Sequence, residues 1–345
     1  MLKENKREHW IDIAKGIGIM LVVAGHEGNP FTYHYFFWFH MPLFFLLSGY
    51  LFKQIASKSE LKALIYKRAK QLLIPYFMFF LLIASLKFFF TLPHNKTGAV
   101  LFIKDIFRSL YGGRALFDYY AVFWFITCLF LTQIVFAIIC LFLKSNTARI
   151  SIISLAFILA HIEIFFKLTK YPIPWAADIV LITLAYYGIG YYLRQIISTY
   201  KSLKFSLPIV LTSIVIVILA IFHKLPFNLD LKQQVYTNLA LDLIIPIVLA
   251  IAICYLSQLL SMTLLKKPLA NLGKHSLTIM YLHMPLNILL KMYFPAYGLI
   301  IFVLAGLLIP LIFSVLIEKS QLLRFLFHGH SVNVKKSPLL EIYTH

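Results

Sequence analysis

Ten apolar segments follow one another along this chain, and their lengths constrain its fold more than any other feature. A transmembrane helix needs about 20 mostly apolar residues, because a helix rises 1.5 Å per residue and the hydrocarbon core is roughly 30 Å thick. Only helices satisfy all of their backbone hydrogen bonds within one segment, and the even alternation of a membrane β-barrel is absent. We therefore predict an all-α, polytopic transmembrane bundle of about ten helices. The segments lie at about 11–26, 35–52, 72–92, 119–143, 150–166, 176–193, 205–222, 236–260, 276–294 and 297–317.

The composition of the chain argues against a water-soluble enzyme. Of the 345 residues, 61% are hydrophobic and 13% are charged, and the mean hydropathy is +0.84. Soluble domains contain roughly 45–50% apolar and about 25% charged residues. A net charge of +19 would suggest nucleic acid as the partner of a soluble domain, but here the charges lie in short pieces between apolar segments. We expect a protein of the lipid bilayer with no nucleic-acid partner.

The distribution of Lys and Arg predicts the orientation of the bundle, because these residues favour cytoplasmic loops. With the N-terminus inside, 21 of them fall in inner segments and 9 in outer loops, while Lys15 and Lys87 lie within helices. We therefore expect both termini to be cytoplasmic. The longest outer segment, about 93–118, is open to three interpretations: a loop, an interfacial helix or a substrate lid.

The two ends of the chain are polar. Residues 1–10 are charged and the first apolar segment lacks a small-residue cleavage pattern, so we expect no cleavable signal peptide. We assign residues 1–320 to the membrane domain and 321–345 to a polar cytoplasmic tail. His328-Gly329-His330 could bind a metal, although a solvated tail is the simpler interpretation. The cysteines lie inside apolar segments without metal-type spacing, so we expect neither a disulfide nor a metal site; they are Cys128, Cys140 and Cys254.

The first apolar segment carries ionisable groups that a membrane helix rarely tolerates. Lys15 and His26 are eleven residues apart, which on a helix is a net rotation of about 20° and a rise of about 16 Å. They therefore project from one face, near opposite membrane surfaces, and Asp12 lies three residues before Lys15. The alternative is that Lys15 extends to the interface and His26 merely caps the helix end.

Further ionisable side chains are predicted within other helices: His40, Glu163 and Asp242 toward the outer ends, and His283 near mid-depth. Any one histidine among them could simply be a hydrogen-bonded packing residue. Several such groups on the same side of the bilayer indicate a polar cavity that opens outward.

A basic group is predicted at the inner mouth of the bundle. Lys67, Arg68 and Lys70 precede the third apolar segment and could hold an anionic ligand such as the phosphates of a nucleotide. The positive-inside rule alone also explains positive charge here.

Several motifs resemble those of the membrane acyltransferase-3 family. Ile11-Asp12-Ile13-Ala14-Lys15-Gly16, continuing to Ala24-Gly25-His26, looks like the first-helix motif of a basic residue, ten intervening residues and a histidine. Phe39-His40-Met41-Pro42-Leu43-Phe44-Phe45, continuing to Ser48-Gly49-Tyr50, resembles the second helix, especially in the fucose 4-O-acetylase-like branch. The likeness runs from about residue 10 to 320. One departure is Lys15, where many members have arginine.

The resemblance implies an integral O-acyltransferase, in the simplest case an O-acetyltransferase, of a bacterial plasma membrane. Such an enzyme takes an acyl group from cytoplasmic acyl-CoA, a co-substrate rather than a bound cofactor. It delivers the group to a hydroxyl of an extracytoplasmic glycan or lipid-linked sugar.

The motif match and the helix geometry together suggest roles for the polar residues. We expect His26 to act as general base, with a covalent acyl-histidine as the alternative. Lys15, steadied by Asp12, would guide the pantetheine arm, and Arg68 would bind CoA phosphates with Lys67 and Lys70. The remaining candidates would orient the acceptor or stabilise the oxyanion; they are His40, His283, Asp242 and Glu163.

Two other function classes fit a polytopic helical protein. A transporter or flippase of a lipid-linked saccharide could use the same polar cavity as a passage, but it predicts discontinuous helices and a two-fold internal repeat, which the sequence does not show. An assembly component without chemistry would leave the shared face of Lys15 and His26 unexplained.

Overall fold

The chain forms a bundle of α-helices in a computed structural model that describes residues 8–91, 98–199, 203–295 and 297–329. Within these ranges there is no β-strand, only one isolated bridge between Asp230 and Val235. Each of the ten apolar segments contains a helix. The helices are α1 (His9–Gly25), α2 (Pro30–Phe36), α3 (His40–Tyr50), α4 (Lys58–Arg68), α5 (Ile74–Thr91), α6 (Gly98–Tyr111), α7 (Trp124–Phe142), α8 (Asn146–Phe165), α9 (Val180–Tyr192), α10 (Arg194–Thr199), α11 (Leu203–Ile221), α12 (Leu241–Leu260), α13 (Lys266–Lys274), α14 (Ser276–Tyr293), α15 (Leu299–Ile317) and α16 (Gln321–His328).

Among the described residues, five helical stretches are long and apolar enough to cross a membrane, judged by length and composition. Helices α1 and α3 are shorter, with 17 and 11 residues. The all-α class and the membrane character of the chain are thus supported, while ten crossings and the side of the termini stay predictions. The five stretches are Lys58–Phe90, Asp118–Phe142, Asn146–Phe165, Leu241–Leu260 and Leu299–Ile317.

Helix α1 lies at the centre of the bundle and contacts α2, α3, α12, α13, α14 and α15. Its closest neighbour is α13, where Gly16 faces the carbonyl oxygen of Leu269 and Gly273 faces that of Asp12. A side chain at either glycine would overlap the opposite backbone. This close crossing fixes α1, and with it Lys15 and His26, against the rest of the bundle.

One of the predicted continuous segments, 35–52, is interrupted, because residues 37–39 separate α2 from α3. His275, which separates α13 from α14, lies just before the predicted segment 276–294. Helix α3 begins at His40, so Pro42 lies in its first turn, where the missing backbone N–H would have no partner within the helix. The interruption therefore places His40 at a helix start rather than within a long span.

The segments predicted to lie outside contact one another at one end of the bundle. Tyr33 donates a hydrogen bond of 2.7 Å to Asp230, and Trp175 donates one of 2.9 Å to the carbonyl oxygen of Leu110. Of the three interpretations of segment 93–118, a helix is present, namely α6, and its buried Asp105 forms an ion pair with Lys87 at 2.6 Å.

The tail begins with a helix that packs on the bundle. Helix α16 contacts α5, α14 and α15, and its C-terminal His328 lies 2.8 Å from the hydroxyl of Ser314. Residues 330–345 lie outside the described residues, and so does His330 of the candidate metal motif. Over the part of the chain that is described, no group of three or more His, Cys, Asp or Glu side chains could hold a metal ion.

Candidate active site

His26 and His40 line one cavity of about 150 Å³, which we call the histidine cavity. His26 directly follows the last residue of α1, and His40 is the first residue of α3, so two helix ends meet there. Four residues of the loop between α11 and α12, residues 222–240, form part of its wall. Its other lining residues are Val22, Tyr33, Phe37, Met41, Ala121, Val122, Trp124, Asp230, Leu231, Lys232, Gln233 and Met280.

His283 of α14 lies beside His26. The centroids of the two rings are 5.2 Å apart, with the rings edge to face. His283 is fully buried, and its Nε2 has no hydrogen-bond partner among the described residues. The structure thus brings together three predicted site histidines from three helices.

Each of these histidines has its Nδ1 next to a backbone carbonyl four residues earlier in the chain. His26 Nδ1 lies 2.7 Å from the oxygen of Val22, and His283 Nδ1 lies 2.9 Å from that of Ile279. His40 makes the same contact with Phe36. A carbonyl oxygen only accepts hydrogen bonds, so in the neutral ring Nδ1 carries the proton and Nε2 the lone pair. An imidazole held in this tautomer can take a proton from a hydroxyl through Nε2.

The cavity also contains two charged residues of the α11–α12 loop, Asp230 and Lys232, that were not predicted as site residues from the sequence. Lys232 Nζ donates hydrogen bonds of 2.8 Å to the carbonyl oxygens of Leu116 and Ala121. Burial lowers the pKa of the Lys232 ammonium to about 8, although Asp230 and Asp118 oppose the shift.

A signal for this arrangement is present in the sequence. Phe227, Leu229 and Leu231 alternate with polar residues in a supposed outer loop, and all three are buried in the structure. Such alternation favours a loop whose apolar side chains fold back on the bundle, which brings the intervening charged residues close to it.

Lys15 and Arg68 line a second cavity of about 200 Å³, which we call the Lys15 cavity. The amide of Gln133 donates a 2.7 Å hydrogen bond to the hydroxyl of Ser48 there. Arg68 Nε and Gln133 Oε1 are buried and have no hydrogen-bond partner among the described residues. One is a donor and the other an acceptor, a pair that suits a ligand amide. The other lining residues are Phe44, Leu51, Leu72, Phe125, Ile126, Leu129, Ser276, Leu277 and Met280.

Met280 lines both cavities, so its side chain lies between the Lys15 cavity and the histidine cavity. It is a buried residue of α14, one turn before His283. The two cavities therefore lie end to end along α1, as the spacing of Lys15 and His26 predicts.

The other inner candidates surround this second cavity less closely. Asp12 is buried where α1 crosses α13, three residues from Lys15. Lys67 is exposed, and Lys70 Nζ lies over the ring of Tyr66 at 4.3 Å from its centroid. Of the predicted basic group, Arg68 is the member that lines the cavity.

Asp242 and Glu163 belong to a separate polar cluster. Asp242 lies 3.0 Å from His161 Nε2 and accepts a 2.8 Å hydrogen bond from the backbone N–H of Asn238. Glu163 accepts hydrogen bonds from Thr169 and from Gln234. These contacts connect α8 and α12 to the α11–α12 loop, and neither carboxylate lines the histidine cavity.

Comparison of the sequence with known proteins identifies relatives of this chain. Two curated relatives are both called nodulation protein NolL. The one from Mesorhizobium japonicum is 29% identical over 184 residues, which cover 50% of this chain and 46% of that protein. The one from Sinorhizobium fredii is 35% identical over 122 residues, which cover 31% of this chain and 32% of that protein. The chain thus matches less than half of each relative's length.

No solved structure matches the chain. The family model described as an acyltransferase domain matches residues 8–319, a range that runs from the start of α1 to the end of α15 and includes every lining residue of both cavities. The chain belongs to the acyltransferase-3 family of membrane acyltransferases.

Proposed function

We propose that this protein transfers an acyl group, in the simplest case acetyl, from cytoplasmic acyl-CoA to a hydroxyl of an extracytoplasmic glycan or lipid-linked sugar. The membrane would be a bacterial plasma membrane, and the fucose 4-O-acetylase-like motifs favour a sugar acceptor. The observation that carries the proposal is the pair of cavities that meet at Met280, one containing Lys15 and Arg68 and the other containing His26.

The Lys15 cavity suits the thioester donor. Arg68, with Lys67 and Lys70 near the mouth, would bind the CoA phosphates, because guanidinium and ammonium groups pair with phosphate. The pantetheine arm contains amides, whose C=O would accept from Arg68 Nε and whose N–H would donate to Gln133 Oε1. Lys15, beside Asp12 in the same helix, would guide this arm along α1.

The histidine cavity suits the acceptor hydroxyl. The hydroxyl oxygen forms a bond to the thioester carbonyl carbon while its proton moves to His26 Nε2. The carbon–sulfur bond then breaks, and the CoA thiolate takes up that proton. A positioned general base of this kind contributes roughly 10²–10⁴-fold to a rate.

The other histidines and the carboxylates would act on the acceptor in different ways. His40 and His283 would accept hydrogen bonds from hydroxyl groups through Nε2. Asp242 and Glu163 would act indirectly. They anchor the α11–α12 loop, and this loop forms part of the wall of the histidine cavity.

The two ends of the acyl-CoA donor require different environments, so the thioester has to extend away from the phosphates toward the acceptor. Phosphates are costly to transfer into hydrocarbon, whereas the thin pantetheine arm can cross much of the roughly 30 Å core. The rise of about 16 Å from Lys15 to His26 is within the reach of that arm. Passage from one cavity to the other requires the side chain of Met280 to move aside.

The decisive experiment follows labelled acetyl from acetyl-CoA to a glycan acceptor with the purified protein. We expect wild type to give labelled product or slow hydrolysis, and we expect His26→Ala to abolish transfer while the protein still inserts and purifies normally. His223→Asn is the matched control, because His223 is exposed and lies at a φ of 53°, which asparagine tolerates.

The possible outcomes separate the function classes. Near wild-type turnover of His26→Ala would contradict the role of His26. A wild type that neither transfers nor hydrolyses acetyl but moves intact lipid-linked sugar across proteoliposomes would be a transporter. Rapid quenching that traps acetyl on His26 would replace the general-base step by the acyl-histidine route.

A further inference from the structure

Acyl transfer from a thioester develops negative charge on the carbonyl oxygen, and an enzyme stabilises this oxyanion with N–H or O–H donors placed beforehand. In the neutral tautomer with the proton on Nδ1, the three histidines donate hydrogen bonds from Nδ1 to carbonyl oxygens and present Nε2 as an acceptor. They therefore leave the oxyanion without a donor from an imidazole. The donor has to come from another part of the cavity wall.

The remaining polar groups of the wall differ in what they can offer. The Tyr33 hydroxyl donates its proton to Asp230. Trp124 and Gln233 carry neutral N–H donors, whereas Lys232 presents a positive charge. A charged donor forms a hydrogen bond about twice as strong as a neutral one, and the difference grows where water is excluded.

The environment of Lys232 holds its ammonium in a fixed position. An ammonium has three N–H groups, and the carbonyl oxygens of Leu116 and Ala121 accept from two of them at 2.8 Å. These carbonyls belong to the loop before α7, so the lysine joins two outer loops across the cavity. Among the described residues, the third N–H remains for a group inside the cavity that Lys232 lines.

We propose that Lys232 is the electrophilic catalytic residue of the histidine cavity and donates its third N–H to the thioester carbonyl oxygen in the tetrahedral intermediate. This inference rests on the proposed acyl transfer. As the hydroxyl oxygen bonds to carbon, the carbonyl π electrons move onto the oxygen next to Lys232, and His26 takes the hydroxyl proton. When the carbonyl forms again, the thiolate leaves with its bonding electrons and takes the proton from His26. The Lys232 proton stays on nitrogen throughout.

The charge state of Lys232 gives the inference a second measurable consequence. Burial disfavours the ammonium form of Lys232, whereas Asp230 and Asp118 favour it. The other titratable side chains that line the cavity, among the described residues, are His26, Tyr33 and His40. With a pKa lowered to about 8, Lys232 loses its proton above that pH, so activity should fall about tenfold per pH unit there.

The test compares Lys232→Met and Lys232→Arg with Lys224→Met, an exposed lysine of the same loop. We expect Lys232→Met to lower kcat by about 10²–10³-fold with little change in the KM for acetyl-CoA, since the lost interaction forms only in the transition state. Lys232→Arg should retain a larger share of kcat and lack the decline above pH 8, because arginine stays charged. Lys224→Met should match wild type.

Each result either supports or contradicts the role of Lys232 as the donor to the oxyanion. A wild-type kcat in folded Lys232→Met overturns the inference, and so does a loss that appears in Trp124→Phe instead. If Lys232→Met does not fold, the pH profile of Lys232→Arg decides: a persistent decline above pH 8 overturns the inference, and its disappearance supports it. Absence of any transfer by wild type would instead contradict the proposed function, so the two failures are distinguishable.

Discussion

Four histidines among the described residues share one hydrogen-bonding pattern: His161 on α8, and the three site histidines, which lie on or directly after three other helices. His26, His40 and His283 each direct Nδ1 to the carbonyl oxygen of the residue four positions earlier. This arrangement fixes the ring orientation and leaves Nε2 to face its neighbours. Of the three, His283 has the most costly position, because its Nε2 is buried without a partner among the described residues.

Because His283 Nε2 has no hydrogen-bond partner among the described residues, we predict different effects for replacing His283 by asparagine and by glutamine. Glutamine can place an acceptor oxygen near the position of Nε2, whereas asparagine can only reproduce the Nδ1 contact with Ile279. If Nε2 accepts a hydrogen bond from the acceptor sugar, His283→Asn should raise the KM for the acceptor about tenfold, in line with one lost hydrogen bond of about 1–1.5 kcal/mol. His283→Gln should stay closer to wild type.

Steady-state kinetics at varied acceptor concentration measure this difference, with the KM for acetyl-CoA as the internal control. Equal acceptor KM values in the two variants would mean that Nε2 does not contact the acceptor.

What the sequence can predict about these side chains follows from helix geometry. Periodicity and depth indicate that His26, His40 and His283 lie on the same side of the bilayer, and the structure brings them together. Asp242 has a comparable predicted depth but lies in another cluster, because depth along a helix says nothing about which neighbours surround it. Lys232 was assigned only to an outer loop, and the positive-inside rule gives no information on how a loop folds.

The close contact between α3 and α9 shows how glycines position a site from a distance. Gly190 of α9 faces the carbonyl oxygen of Leu46, and Gly49 of α3 faces that of Tyr187. The contact therefore requires a residue without a side chain on each helix. Because α3 begins at His40, a displacement of α3 also moves one histidine of the cavity.

A single methyl group at this contact should disturb the bundle. In Gly190→Ala the new Cβ would overlap the backbone oxygen of Leu46, which cannot rotate away, so the helices must separate. Overpacking of this kind destabilises a protein by about 1–3 kcal/mol, and a displaced α3 should also lower activity. Thermal unfolding in detergent measures the first effect and acetyl transfer the second.

Gly298→Ala is the matched control, because nothing lies within 4 Å of a Cβ at Gly298, which directly precedes α15. Its unfolding temperature and activity should equal those of wild type. A Gly190→Ala variant as stable as this control would mean that the α3–α9 contact is looser than the structure shows.

Element boundaries were harder to predict than element existence. Each apolar segment contains a helix, since hydrophobicity over many residues is a strong signal. The interruption at residues 37–39 was missed, because a short break does not alter the average hydropathy. Pro42 was a local indication of this break.

At the scale of the whole molecule, some polar contacts join the segments that connect the apolar helices. The predicted outer segments meet through pairs such as Lys232 with Leu116, and predicted inner segments meet through pairs such as Arg194 with the carbonyl oxygen of Phe52. The alternation that the Lys and Arg distribution predicts is therefore consistent with which segments contact one another. The Lys15 cavity lies toward the inner group and the histidine cavity toward the outer group.

This arrangement leads to a prediction about accessibility in intact cells. Lys170, between α8 and α9, and Lys58, at the start of α4, are both exposed and lie in segments predicted to be on opposite sides of the membrane. A membrane-impermeant maleimide should label Lys170→Cys in intact cells and Lys58→Cys only after permeabilisation. The native cysteines are free and buried, so their background labelling should be low.

Both variants should keep wild-type acetyl transfer, which shows that the labelled protein is correctly folded. The labelling pattern bears directly on mechanism, because Arg68 ends the same helix that Lys58 begins. Cytoplasmic CoA can reach Arg68 only if α4 lies on the inner side, since its phosphates are too costly to bury in the hydrocarbon core. Labelling of Lys58→Cys from outside would therefore contradict the predicted orientation and, with it, a cytoplasmic acyl-CoA as the donor.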